Sequence, residues 1–314
     1  MLVYILKRVA MTIPVMGVVA LFVFALLRLS PGDPAAVIAG DFATAEDVAR
    51  IREQLGLSEP LPVQFATWLW SLLKGDLGTS IFSGKPVTEL IVQRIEPTML
   101  LALTTILFSV AVAVPLGTLA AFRAGSLTDR AVMLFSVGGF SVPVFVLGYM
   151  LIYVFSLKLR WLPVQGYRSP FEHGLGPFLA HITLPTLTLS VIFIALIARM
   201  TRASVIEVLE EDYVRTARAK GQSELKVLMR HALRNAAVPI VTVIGIGIAL
   251  LIGGVVVTES VYNIPGLGRL VLDAVLARDY PIIQGLILFF SLVYILLNLL
   301  IDLTYTVLDP RIRY

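Results

Sequence analysis

Residues Glu207–Asn235 read EVLEEDYVRTARAKGQSELKVLMRHALRN, a charged segment between two runs that carry no charge, one bounded by Glu172 and Arg199 and the other by Arg234 and Glu259. Ile206, Leu209, Tyr213 and Ala217 recur at helical spacing, and Glu211 stands four residues before Arg215, the order that favours an ion pair along a helix. Lys220 followed by Gly221 is a helix stop, because glycine enters left-handed backbone without a Cβ clash. Ser223 is placed to cap a second helix, in which Leu225, Leu228, Met229 and Ala232 repeat at i, i+3, i+4 and i+7 beside Glu224, Lys226 and Arg230. Two short helices joined by an elbow are therefore expected. An amphipathic helix on lipid, a helix in the groove of a soluble partner and a DNA-binding helix-turn-helix all share this pattern. The last needs a supporting third helix, for which the flanking apolar runs leave no room.

The flanking runs belong to a larger set. The chain has 314 residues, is 58% hydrophobic and 15% charged, and has a mean hydropathy of +0.89, more apolar surface than a soluble domain can hide. Crossing about 30 Å of hydrocarbon at about 1.5 Å per helical residue takes roughly 20 apolar residues. Six uncharged stretches approach or exceed that length, between Arg8 and Arg28, Glu96 and Arg123, Arg130 and Lys158, Glu172 and Arg199, Arg234 and Glu259, and Asp279 and Asp302. An all-α polytopic membrane protein with six transmembrane helices is the expected fold class. The first stretch, Val9–Leu27, exceeds a signal-peptide core and is expected to remain as a span.

With the N-terminus in the cytoplasm, Lys7, Arg8, Arg123, Arg130, the basic residues from Arg199 to Arg234, Arg311 and Arg313 all lie on inner segments. The outer segments then carry an acidic excess, so the net charge of +4 and the pI near 9.4 report orientation and call for no nucleic-acid partner. Both termini are expected in the cytoplasm. The chain has no cysteine, which excludes a disulfide framework, a thiolate nucleophile and a cysteine-ligated metal.

Residues 30–95 form the one long outer stretch, with helical spacing over Thr44–Leu55 and Val63–Leu73, a start signal at Thr44 and Asp47, and a stop at Gly56. A small periplasmic cap is expected there. Gly245, Ala249 and Gly253 make a small-residue ridge on the fifth span, suited to close helix packing, and Pro14, Pro115, Pro143 and Pro185 mark sites for kinks. Asp302 is the only acid within an expected span, one turn from its cytoplasmic end, where it reaches interfacial water. His173 and His181 lack a ligand cluster, so no metal site is expected. Gly84-Lys85-Pro86 lacks the spacing of a phosphate-cradling loop, so any nucleotide chemistry belongs to another polypeptide. An ion-coupled secondary transporter or channel is the alternative, but the spans hold no cluster of ionisable residues near their centres.

Several stretches together resemble the permease subunits of binding-protein-dependent ABC importers, in the dipeptide, oligopeptide, glutathione and nickel subclass. These are LKR at Leu6–Arg8, PGDP at Pro31–Pro34, QLGL at Gln54–Leu57, GDLGTS at Gly75–Ser80, EDYVRTARAKG at Glu211–Gly221, HALRN at His231–Asn235, PGLGRL at Pro265–Leu270 and the tail DPRIRY at Asp309–Tyr314. Against the broader importer motif, Ala217, Gly221 and Leu233 match, whereas Arg215 stands at the glutamate position and Arg234 at the proline position.

The resemblance implies a type I ABC importer permease fold in the inner (plasma) membrane, divided into the first helix (1–29), the periplasmic cap (30–95), a core (96–306) with a cytoplasmic coupling loop (202–235), and a tail (307–314). It implies a coupling site of Glu211, Arg215, Ala217, Gly221, Ser223, Glu224, Leu225, Leu228, Met229, His231 and Leu233. It implies as partners a second homologous permease, two cytoplasmic ATPases and a periplasmic solute-binding protein. No cofactor is expected on this chain, with ATP and Mg on the partner subunits.

Overall fold

Hydrocarbon offers no water to backbone N–H and C=O groups, so an apolar run satisfies them internally by forming a helix. The structure, a computed structural model, describes residues 2–29, 35–36, 44–54 and 57–308, and among these it is helical with no strand beyond an isolated bridge between Thr79 and Pro86. The helices are α1 (Leu2–Leu29), α2 (Ala45–Gln54), α3 (Leu61–Leu73), α4 (Val87–Phe122), α5 (Leu127–Ser141) and α6 (Val144–Leu151), which continues as a π-helical segment (Ile152–Lys158). There follow α7 (Pro170–His173), α8 (Leu175–Leu209), α9 (Asp212–Ala219), α10 (Glu224–Lys226) with a π-helical continuation (Val227–Leu233), α11 (Ala237–Val261), α12 (Leu267–Ala277) and α13 (Tyr280–Leu308). The PGDP turn, the Leu55-Gly56 part of QLGL with its expected helix stop, and the DPRIRY tail lie outside the described residues.

Three described helices are long and apolar enough to cross a membrane unbroken, over Val87–Phe122, Leu175–Leu209 and Tyr280–Thr304, and the count reaches five if each of two bent pairs is one span. The expected third span is one such pair: Leu127–Ser141 and Val144–Lys158 meet at 104°. Pro143 sits at the break, where its ring cannot continue the preceding helix. Pro14, Pro115 and Pro185, by contrast, lie inside helices that run on. The expected first span falls on α1, a helix of 28 residues with the apolar stretch Ala10–Ala25 inside it. The fifth extends beyond its sequence boundary to Val261 and takes Glu259 into the helix.

The chain divides into two compact units, one of residues 1–96 and 269–296, the other of residues 97–268 and 297–314. In the first, Phe65 and Trp68 of α3 pack on Phe24 of α1 with ring centroids 5.1 and 5.7 Å apart. The GDLGTS stretch folds back there: Ser80 N–H donates to Lys85 O (2.9 Å), and the Ser80 hydroxyl donates to the buried carboxylate of Asp279 (2.6 Å).

The second unit is organised around α8, the most enclosed of the long helices. Against it α4 turns a ridge of small residues toward the interior at steps of four: Thr105, Ser109, Ala113, Gly117 and Ala121, all buried. The expected ridge on the fifth span behaves differently. Gly245 lies against Ile301, but among the described residues Gly253 has no neighbour within 4 Å of a Cβ built on it. Lipid-facing helices gain no hydrophobic free energy by pairing, so small residues that let backbones approach decide which faces meet. A Cβ on Gly117 would lie 2.5 Å from Ala198 O and 2.7 Å from Thr201 Cβ. Gly117→Ala is therefore expected to destabilise by about 1–3 kcal/mol as overpacking against backbone. Gly138→Ala, on an open helical face, should stabilise by up to about 1 kcal/mol. Thermal unfolding of the purified protein separates the two signs.

Candidate functional site

Past Leu209, the chain leaves α8 through Glu210 and Glu211, and the elbow begins. Glu211 is the N-cap of α9 with extended backbone (φ −67°, ψ 145°), so it does not share a helical face with Arg215. Arg215 instead pairs with Asp212 at 3.4 Å, and both side chains are well exposed, so the pair contributes little. The break at Glu210–Glu211 also separates Ile206 and Leu209 from Tyr213 and Ala217, which the sequence had joined on one face. α9 ends at Ala219, and Gly221 takes φ +77°, a left-handed conformation that redirects the chain toward α10. Ser223 stands at the N-cap of α10 without a side-chain cap, its carbonyl accepting from Val227 N–H at 3.0 Å.

Polar and apolar ties hold the two arms of the elbow together. Arg218 donates from Nε and Nη2 to the two Glu224 oxygens at 3.0 and 3.3 Å, His231 Nε2 hydrogen-bonds Gln222 Oε1 at 2.8 Å, and Asn235 Nδ2 donates to the Tyr213 hydroxyl at 2.9 Å. Beneath them, Val214, Ala217 and Val227 are buried together against Val208 and Leu209. Leu228 and Ala232 turn inward as well, into a cluster with Ala121, Val205, Ala236 and Ile240, and Leu233 is partly buried on it. The apolar edge expected from the sequence is thus divided. Leu228 and Ala232 fasten the loop to the ends of α4, α8 and α11, whereas Leu225 (70% exposed) and Met229 (53%) stand outward. Of the remaining expected site residues, Glu211, Arg215, Gly221, Ser223 and Glu224 are exposed, and His231 is half-buried.

A second arrangement beside the elbow was not legible in the chain. Asp129, 3% exposed, accepts from Arg202 through Nε and Nη2 (the latter 2.7 Å) and from Gly125 N–H at 2.9 Å. Arg202 lies two turns before the end of α8, and Asp129 lies in the first turn of α5, whose N-cap is Ser126. The pattern Ser126-x-x-Asp129 signals a helix start, but nothing local marks Arg202, 73 residues away, as the partner. This fork joins the root of the elbow to the bent pair of α5 and α6.

Glu259, near the end of α11, is fully buried, accepting from the Thr98 hydroxyl at 2.6 Å while Thr98 accepts from Leu267 N–H at 2.8 Å. A Cβ on Gly266 would fall 2.1 Å from Glu259 Oε1, so the PGLGRL turn closes directly over the carboxylate.

With the geometry in place, known proteins supply its context. Residues 113–314 match the family described as binding-protein-dependent transport system inner membrane component, and residues 1–104 match the N-terminal family of the same membrane components. A probable peptide ABC transporter permease of Sinorhizobium fredii is 59% identical over 99% of both chains. The glutathione transport system permease GsiC of Salmonella choleraesuis is 46% identical over the full length of both. Among solved structures, the inward-facing MetNI methionine ABC transporter superposes with a TM-score of 0.56 at 17% identity, over 70% of this chain and 96% of that one, a likeness of fold.

Proposed function

The chain belongs to the binding-protein-dependent transport system inner membrane components, and on that premise we propose that its elbow is the docking and coupling site for a cytoplasmic ATPase. The chain is a permease subunit of an ABC importer. In this reading it shares a translocation path with a second, homologous permease, two ATPases bind ATP and Mg, and a periplasmic binding protein delivers the cargo. Both termini are cytoplasmic, residues 202–235 are the coupling region, 30–95 the outer segment and 96–306 the core of the path. Short peptides, glutathione among them, are the cargo class, as in the relatives named for peptide and glutathione transport.

One observation carries the coupling role: an exposed apolar edge, Leu225 and Met229, mounted on a body tied to the ends of α4, α8 and α11. An exposed pair of this kind one turn apart suits insertion into a protein groove. Because the elbow is internally bonded, displacement of its outer edge moves the helix ends as a unit, which suits a rigid-body switch between inward- and outward-facing packings.

The test is co-expression with the genomic neighbours and purification through a tag on this subunit. ATPase subunits should co-purify and hydrolyse ATP. In the Leu225→Asp/Met229→Asp variant, ATPase retention should fall roughly 30-fold, the effect of losing an interface anchor of about 2 kcal/mol. Undiminished retention would place the dock elsewhere, and a chain that purifies alone and transports without ATP would remove the coupling reading altogether.

A further inference from the structure

Helix α3, Leu61–Leu73, has the sequence LPVQFATWLWSLL and carries no charge in 13 residues. One side is accounted for: Phe65, Trp68, Leu69 and Leu72 pack on Ala20, Val23 and Phe24 of α1 and on Ile287 and Leu288 of α13. A helix resting on the aqueous face of a protein should present polar residues on its other side. Here the other side is Val63 (47% exposed), Ala66, Thr67, Trp70 (60%) and Leu73 (73%), spaced as one helical stripe. The neighbouring α2, AEDVARIREQ, shows the charged composition that α3 lacks.

The depth of the contact settles what the stripe faces. Ala20, Val23 and Phe24 lie inside the apolar run Val9–Leu27, and Leu21 and Phe22 at the same level are 55% and 65% exposed. At about 1.5 Å per residue, the contact lies about 5–10 Å inside the nearer end of that run. Interfacial helices bury their apolar faces to a similar depth. The exposed stripe of α3 is thus continuous with the lipid-facing side of α1. At its C-terminal end, Lys74 Nζ lies 5.1 Å from the Trp70 ring centroid, an aromatic beside a cation that reaches toward headgroups.

We propose that α3 is an interfacial membrane helix, its Val63–Trp70–Leu73 stripe seated in the outer leaflet of the bilayer, so that the segment between the first two spans is anchored in lipid. This rests on the chain being embedded in a membrane and is independent of the ATPase dock. A lipid surface is favoured over a protein because the stripe lacks any charge to orient a partner and sits level with the exposed apolar side chains Leu21 and Phe22 of α1.

The absence of cysteine makes the chain a clean background for the test. Single variants Val63→Cys and Trp70→Cys, with Glu59→Cys and Lys85→Cys as exposed flanking controls, are made in the full transporter in lipid nanodiscs and treated with a membrane-impermeant maleimide. The flanking positions should label and positions 63 and 70 should not. In a Trp68→Phe/Trp161→Phe chain that still retains its partner subunits, Trp70 emission should be lost with brominated lipid and persist with aqueous iodide. Labelling at 63 and 70 equal to the controls, together with iodide quenching, would put α3 in water and overturn the proposal. Protection that arises only when the binding protein is added would overturn it in favour of a protein occupant.

Discussion

A Gly221→Pro variant is expected to stay in the membrane yet lose ATP-driven uptake, by roughly 30-fold or more if the dock is displaced as far as removal of an interface anchor would displace it. Gly221 holds φ at +77°, whereas proline fixes φ near −65°, so the elbow turns by about 140° at its pivot. Proline also restricts Lys220 before it, at the end of α9. The Arg218–Glu224 and Tyr213–Asn235 ties cross this pivot and cannot both survive the rotation. The milder Gly221→Ala has open space for its Cβ and meets only the left-handed backbone strain of about 1–2 kcal/mol, so uptake should persist within a few-fold. Uptake of labelled cargo into vesicles, read beside ATP hydrolysis, checks both. Equal activity in the proline variant and the parent would show that the elbow transmits nothing.

Arg202→Ala is expected to be more damaging than Asp129→Ala, although both break the same pair. Removing one member of a buried ion pair costs about 3–5 kcal/mol, mostly because the other charge is left without its partner. The two partners differ in what is left behind. Asp129 has a side chain 5% exposed, and without Arg202 it retains only the Gly125 N–H as a described donor. Arg202 is 27% exposed, and its long aliphatic stem lets the guanidinium reach toward water once Asp129 is gone. Arg202→Ala should therefore fall near the top of that range and Asp129→Ala near the bottom. The double variant should recover part of the loss, because it leaves no charge behind. Melting of the purified protein gives the order, and transport assays report whether α5 still follows the elbow. A larger loss for Asp129→Ala, or a double variant as unstable as the two losses added, would mean that the pair is not what holds these helices.

Both predictions combine information of two kinds, and the division has a physical basis. Hydrocarbon forces each apolar run into a helix, and that is a property of composition over roughly 20 consecutive residues, readable without any partner. The elbow is equally local: Gly221 after Lys220, and the apolar repeat from Leu225 to Ala232, depend on neighbours within a few positions. These signals yielded the helical class, the family resemblance and the turn that the structure places at Gly221.

They could not yield which side of an apolar repeat faces inward. Leu225 and Leu228 are chemically alike and three residues apart, yet one is open and the other packs on the ends of neighbouring helices, because the rotation of the loop is set by α4, α8 and α11. Pro143 breaks a span while Pro115 and Pro185 do not, and Gly117 makes a close approach while Gly253 makes none. In each case the residue type is identical and the surroundings differ. The pairing of Asp129 with Arg202 and of Glu259 with Thr98 spans 73 and 161 residues, distances at which one-dimensional periodicity carries no information. The chain alone therefore established helices, membrane and elbow, since these follow from the solvent and from adjacent residues. Close packing between distant helices decided the buried charge pair, the outward edge and the face that α3 leaves exposed, since these depend on which faces meet.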